Sequence, residues 1–107
     1  MPFDGTPPTQ GDPATADLIL RAVRVIRWRI LWTKGVSAPP WRRCALTAAY
    51  RVAPNWDQYF PMVAALNKAA QRHGFATIWE LNDDPATTHA FVLRVMREAA
   101  AMALVGN

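Results

Sequence analysis

Residues 18–32 form an apolar run of helical length into which arginines are set at short intervals. On an α-helix, with about 100° between successive residues, five of the apolar residues fall on one face. These five residues are Ile19, Ala22, Val23, Ile26 and Ile30. Their i, i+3, i+4, i+7 spacing predicts a helix that turns this face towards a core.

The opposite face of the same predicted helix is basic and aromatic. It carries Arg21, Arg24, Trp28 and Trp32, with Arg27 on its flank. Arg24 and Trp28 are four positions apart, so we expect a cation–π contact of about 0.5–1 kcal/mol between them. Two interpretations of this face remain open. Either another helix covers the tryptophans while the arginines reach water, or the face binds a partner, since Trp and Arg are enriched at binding hot spots.

Charge is distributed unevenly along the chain. Residues 1–17 contain three acids and no base, whereas residues 18–56 contain eight bases and no acid, within a net charge of +4. Such a block of positive charge predicts attraction to a polyanion or to an acidic protein surface, although the coding bias of a GC-rich genome would also enrich arginine. The candidate binding surface comprises Arg21, Arg24, Arg27, Trp28, Trp32, Lys34, Arg42 and Arg43.

Apolar residues make up 51% of the 107 positions, which is enough for one core, and no run of alternating β-branched residues predicts a strand. We therefore expect an all-α fold, a compact bundle of four main helices plus one short helix. Residues 1–12, rich in Pro and Gly, are predicted to be a flexible tail, and residues 13–107 a single helical domain.

Helix boundaries follow from capping residues, prolines and glycines. The predicted helices span residues 13–33, 40–53, 61–73, 78–82 and 87–104. Gly35 and Gly74 are expected to end the first and third helices, and the aromatic residues 55–60 are expected to form a turn or a single helical turn. The predicted structural caps are Asp12, Thr77, Asn82, Asp83 and Thr88.

The polar residues from Asn82 to His89 form the one cluster in the sequence that resembles a ligand-binding site. They could bind an anion or a metal ion at a helix N-terminus, but capping of the last helix explains them more simply. Cys44 is predicted to be buried on the apolar face of the second helix. One cysteine and two histidines cannot provide the four ligands of a structural zinc site.

No glycine-rich phosphate loop or nucleophile elbow is present, so we expect neither an enzyme nor a cofactor or metal ion. A single cysteine forms no intramolecular disulfide, which suits a reducing cytoplasm. The apolar run at 18–32 is too short to span a bilayer and contains four arginines, so no membrane partner is expected.

Short pieces spread over residues 18–104 resemble a known family when they are taken together. The pieces are Leu20-Arg21-Ala22, Trp32-Thr33-Lys34-Gly35, Arg43-Cys44-Ala45-Leu46, Ile78, Leu81-Asn82-Asp83, Pro85, Thr87-Thr88-His89 and Val92-Leu93. The chain is similar to the domain of unknown function 6197 family, small uncharacterised domains of actinobacteria and their phages. The family's pattern has a glycine where Thr47 stands. The resemblance implies an all-helical fold and a phage or prophage setting, and it implies no reaction.

The function that we expect is non-catalytic binding of nucleic acid through the basic aromatic surface of the first two helices, with contacts mainly to phosphates. The alternative is a protein–protein interaction module that modulates a host protein through an acidic surface. A homodimer that buries Trp28 and Trp32 is a further alternative.

Overall fold

The structure, a computed structural model, describes residues 11–28, 31–34 and 44–106. Its first helix begins at a side-chain cap. The Asp12 carboxylate accepts a hydrogen bond from the Thr15 backbone N–H at 3.1 Å. Pro13 follows at the first helical position, where its fixed φ suits the helix and its missing N–H costs nothing.

Five helices form the described part of the chain. They are α1 (Pro13–Val25), α2 (Ala45–Val52), α3 (Trp56–Gln71), α4 (Ile78–Asp83) and α5 (His89–Val105). The described residues contain no strand, so the prediction of an all-α fold is confirmed. None of these helices has the length and apolar content needed to cross a membrane.

Helices α1 and α5 pack against each other more extensively than any other pair, and α5 also packs against α3. At one end of the pair, the Asp12 N–H donates to the Ala103 carbonyl at 2.7 Å. At the other end, His89 Nε2 lies 2.6 Å from the Ile26 carbonyl oxygen, to which it donates. These two contacts join opposite ends of the helices, so α1 and α5 run antiparallel.

The predicted apolar face of α1 is in the core. Ile19, Ala22, Val23 and Ile26 are all buried, and Ile19, Ala22 and Ile26 are fully inaccessible to water. Buried residues from the other four helices join them in one cluster. Because burial of each large apolar side chain contributes about 1.5–3 kcal/mol, this cluster is the main source of stability in the fold.

The first helix ends earlier than the sequence predicts. It stops at Val25 instead of residue 33, and Ile26 (φ −115°, ψ 22°) is its C-cap. No glycine or proline breaks it there. The reason is tertiary, because the Ile26 carbonyl is engaged by His89 and the chain then turns so that Trp32 can bond to Asn82. Such contacts override a weak helical propensity.

The third helix begins earlier than predicted, at Trp56, because Asn55 acts as its N-cap by accepting from Gln58 N at 3.0 Å. Pro61, which was predicted to open the helix, lies inside it. Gly74, predicted as its stop, has φ +90°. The predictions for residues 1–10, for Ile30 and for Gly35 lie outside the described residues. The second helix begins at Ala45, later than the predicted residue 40, because Cys44 is extended and acts as its N-cap.

Asp12 gives a pH-dependent prediction. Hydrogen bonds from the Thr15 hydroxyl and then from the Thr15 N–H lower the pKa of the Asp12 carboxyl below its ordinary value. A lowered pKa stabilises the fold above the unfolded-state pKa of about 3.9, and this contribution is lost as the pH falls through the folded-state pKa. We expect Asp12→Ala to reduce the free energy of unfolding at neutral pH by about 0.5–2 kcal/mol.

Urea denaturation at pH 7 and in acid would measure this effect. The difference between the wild type and Asp12→Ala should shrink as the pH falls. Asp12→Asn is the matched control, because an amide caps a helix without ionising. A difference between the wild type and Asp12→Ala that stays constant down to acid pH would contradict this role for the carboxylate.

Candidate functional site

The residues at the C-terminal end of α1 form an exposed basic surface. We define it as Arg21, Arg24, Arg27 and Trp28, all of which are exposed, Trp28 by 60%. The Arg27 guanidinium carbon lies 5.4 Å from the centroid of the Trp28 ring. The predicted contact of Trp28 with Arg24 is wrong, because α1 ends before Trp28 and the i, i+4 relation is lost.

Two arginines of the basic surface are free of ion pairs to the described residues. Arg21 lies 3.0 Å from the Asp17 carboxylate, a solvent-exposed pair one helical turn apart. Neither Arg24 nor Arg27 has a carboxylate within salt-bridge distance in the described part of the chain. Their guanidinium groups therefore present unneutralised donors to the solvent, in a geometry suited to phosphate or carboxylate oxygens.

Trp32 and Lys34 do not belong to that surface, contrary to the sequence prediction. Trp32 is partly buried, and its indole N–H donates to Asn82 Oδ1 at 2.9 Å. Lys34 Nζ donates to the Asp84 carbonyl at 2.6 Å and lies over the Trp32 ring. Both side chains turn inwards because the chain bends after α1. Arg42 and Arg43, also predicted for the surface, lie outside the described residues.

Asn82 joins three segments of the chain and is completely buried. Its Oδ1 accepts from the Trp32 indole and from the Ala45 N–H, the latter at 3.1 Å. Its Nδ2 donates to the Thr33 carbonyl and to Asp83 Oδ1, both at 3.0 Å. An amide side chain has two lone pairs and two N–H donors, so its whole hydrogen-bonding capacity is used within the protein.

These bonds correct the predicted roles of Asn82 and Asp83. Both were expected to help cap the last helix, but the cap is Thr88, as was also predicted, which accepts from Phe91 N at 3.1 Å. Asn82 instead satisfies the first N–H of α2 from a distant part of the chain. Asp83 accepts from Asn82. The polar cluster is therefore structural, and we call the group of Trp32, Asn82 and His89 the junction.

The junction brings together residues from several of the short sequence segments that resemble the family. Trp32 and His89 are in ring contact, with centroids 5.6 Å apart. Asn82 binds Trp32, Thr33 and Ala45. Residues that are scattered along the sequence thus meet at one place, where they fix the start of α2 and the ends of α1 and α4 relative to one another.

Cys44 is not on the buried face of the second helix, where the apolar spacing predicted it. It is the N-cap of α2 and is partly exposed. Its sulfur accepts from the Thr47 N–H at 3.4 Å, while the Thr47 hydroxyl accepts from the Cys44 N–H at 2.9 Å. The Thr47 hydroxyl therefore completes a capping box at the start of α2.

The hydrogen bonds of the two histidines are made to residues other than Cys44. His73 Nε2 lies 2.8 Å from Glu98 Oε1, and its ring meets the Phe91 ring edge-on. His89 bonds to Ile26. In the described residues, no group of three or more His, Cys, Asp or Glu side chains is arranged to hold a metal ion.

A second exposed surface was not found from the sequence. We define the aromatic surface as Tyr50, Trp56, Tyr59, Phe60 and Trp79. Two open pockets of about 470 and 240 Å³ lie along it, and the Tyr59 ring lines both. Burial, with smaller contributions from Cys44 and Tyr50, raises the pKa of the Tyr59 hydroxyl. Because residues 55–60 were expected to form a turn or a single helical turn separate from the third helix, the continuous helical spacing of Trp56, Tyr59 and Phe60 was missed.

The fold and these surfaces define a small all-α domain whose polar cluster holds the helices together. The chain belongs to the family of unknown function DUF6197, whose sequence model matches residues 10–102. No curated protein and no solved structure matches it.

Proposed function

We propose that this domain is a non-catalytic binding module that contacts single-stranded nucleic acid through the basic surface at the end of α1. The observation that supports the proposal is the exposure of Arg24, Arg27 and Trp28 within five residues of the chain, with both arginines free of carboxylates in the described residues. Unpaired arginines beside an exposed indole combine the two interactions that hold single strands, which are charge attraction and stacking.

In this mechanism the guanidinium groups of Arg24 and Arg27 contact phosphate oxygens, and Arg21 adds a third contact when it leaves Asp17. The Trp28 ring stacks on an unpaired base, and the cation–π contact with Arg27 holds that ring in place before binding. Such contacts depend on the backbone and on the flat faces of bases, so we expect little sequence preference.

Fluorescence anisotropy of a labelled oligothymidylate would test the proposal. With about three phosphate contacts, the logarithm of the affinity should fall with the logarithm of the salt concentration with a slope of about −2. The double variant Arg24→Gln/Arg27→Gln should bind about tenfold more weakly and show a shallower slope. Trp28→Ala should weaken binding without changing the slope, because stacking releases no counterions.

The matched control is Arg94→Gln/Arg97→Gln, which removes two exposed arginines from α5 and gives the same net charge. Equal losses in the two double variants would show that net charge alone attracts the oligonucleotide and would contradict a site on α1. An acidic protein partner would be indicated if the oligonucleotide does not bind and a binding protein loses most of its affinity on Trp28→Ala. A mass in solution that halves on Trp28→Ala would instead indicate a homodimer.

A further inference from the structure

Four large rings of the aromatic surface are more than half exposed to water. Trp56, Phe60 and Trp79 are 55–61% exposed, and Tyr50 is 58% exposed. The rings support one another, since Trp56 and Phe60 stack with centroids 5.6 Å apart and Tyr59 meets Trp56 edge-on at 5.4 Å. A group of exposed aromatic rings that contact one another is typical of a recognition surface.

The polar atoms of this surface are also unused within the described part of the chain. Among the described residues, the indole N–H groups of Trp56 and Trp79 and the Tyr50 hydroxyl make no hydrogen bond. Each is exposed enough to be hydrated. The surface therefore offers flat apolar faces and, at their edges, donors that suit a ligand rich in carbonyl groups.

We propose that the aromatic surface binds a proline-rich peptide in the polyproline II conformation. That helix makes no internal hydrogen bonds, so its carbonyl groups need external donors such as indole N–H. Its prolines pack on aromatic rings, and it has little conformational entropy to lose on binding. Two neighbouring pockets that share the Tyr59 ring as a wall suit a ligand that repeats every three residues.

Charge around the pockets favours a peptide that also carries basic residues. Among the described residues, no charged side chain lines either pocket, but Asp57 follows Trp56 and Glu80 follows Trp79, and both carboxylates are exposed. Arg51 follows Tyr50 in the same way, so among the described charged residues that directly follow one of these rings two are acids and one is a base. An arginine beside the prolines would complement this acidic rim.

The test uses a fluorescein-labelled peptide of eight prolines followed by two arginines, with fluorescence anisotropy as the readout. The control peptide replaces the prolines by alternating Gly and Ser and keeps the length and charge. We expect the proline peptide to bind at least tenfold more tightly than the control peptide. Trp56→Ala should weaken its binding about tenfold. Asp57→Asn should weaken it a few-fold at low salt only.

Trp28→Ala is the matched control variant, because Trp28 is exposed to the same degree as Trp56 but lies on the basic surface. It should bind the proline peptide like the wild type. The proposal is overturned if the two peptides bind equally, or if Trp28→Ala and Trp56→Ala lose the same affinity. It is also overturned if sedimentation velocity shows a dimer that Trp56→Ala dissociates, since a second copy then covers the surface. This inference does not rest on nucleic-acid binding, and either can fail alone.

Discussion

Asn82→Ala is expected to reduce the free energy of unfolding by about 2–4 kcal/mol. The substitution removes four hydrogen bonds at a completely buried position. It leaves the Ala45 N–H, at the start of α2, without an acceptor inside the protein. A buried donor without an acceptor costs about 1–3 kcal/mol, in addition to the lost bonds. Denaturation in urea, followed by circular dichroism, would measure the change.

Asn82→Asp separates hydrogen bonding from packing at the same position. The new side chain keeps the shape and the oxygen acceptor but loses both donors, and it places a carboxylate beside the Asp83 oxygen. We expect strong destabilisation at pH 7, relieved in part as the pH is lowered and the new carboxyl is protonated. A stability of Asn82→Ala within about 0.5 kcal/mol of the wild type would show that the junction does not hold the fold together.

Ile19→Ala is expected to cost about 2–5 kcal/mol, the range for removing a large aliphatic side chain from a packed core. Ile19 is fully buried on the face of α1 that points into the core. Its neighbour Leu20 is 43% exposed and provides the matched control. Leu20→Ala removes a similar volume of side chain and should cost under about 1 kcal/mol.

The same urea titration of both variants would test how α1 is rotated about its axis. If Leu20→Ala is the more damaging substitution, then α1 does not turn its isoleucines inwards. The basic surface would then be misplaced too, because Arg21 and Arg24 are exposed only in the rotation that buries Ile19.

Local features of the fold could be predicted from the sequence. The buried face of α1 follows from the period of its apolar residues, and the cap at Asp12 follows from an acid placed directly before a proline. The end of α1 could not be predicted in this way. It depends on bonds from Trp32 to Asn82 and from His89 to Ile26, between residues at least 50 positions apart. No local pattern contains them.

The two exposed surfaces could also be predicted only in part from local sequence patterns. The helical pattern left open whether Arg24 and Trp28 are exposed. The inward orientation of Trp32 could not be predicted, because it depends on a hydrogen bond to the distant side-chain amide of Asn82. The aromatic surface was missed for a local reason. The start of α3 was placed at Pro61 and Asn55 was not considered as an N-cap, although Asn is a preferred N-cap residue and here accepts from the N–H three positions on.

The antiparallel pairing of α1 with α5 also bears on how the chain acquires its structure during synthesis. The ribosome releases α1 before the other described helices and α5 after them, yet these two share the most extensive contact. The part of the apolar face of α1 that α5 covers consequently stays exposed to water, or to chaperones, until translation of the last helix is complete. We expect folding to occur late and in one cooperative step, and nascent chains that stop before α5 to be readily degraded by proteases.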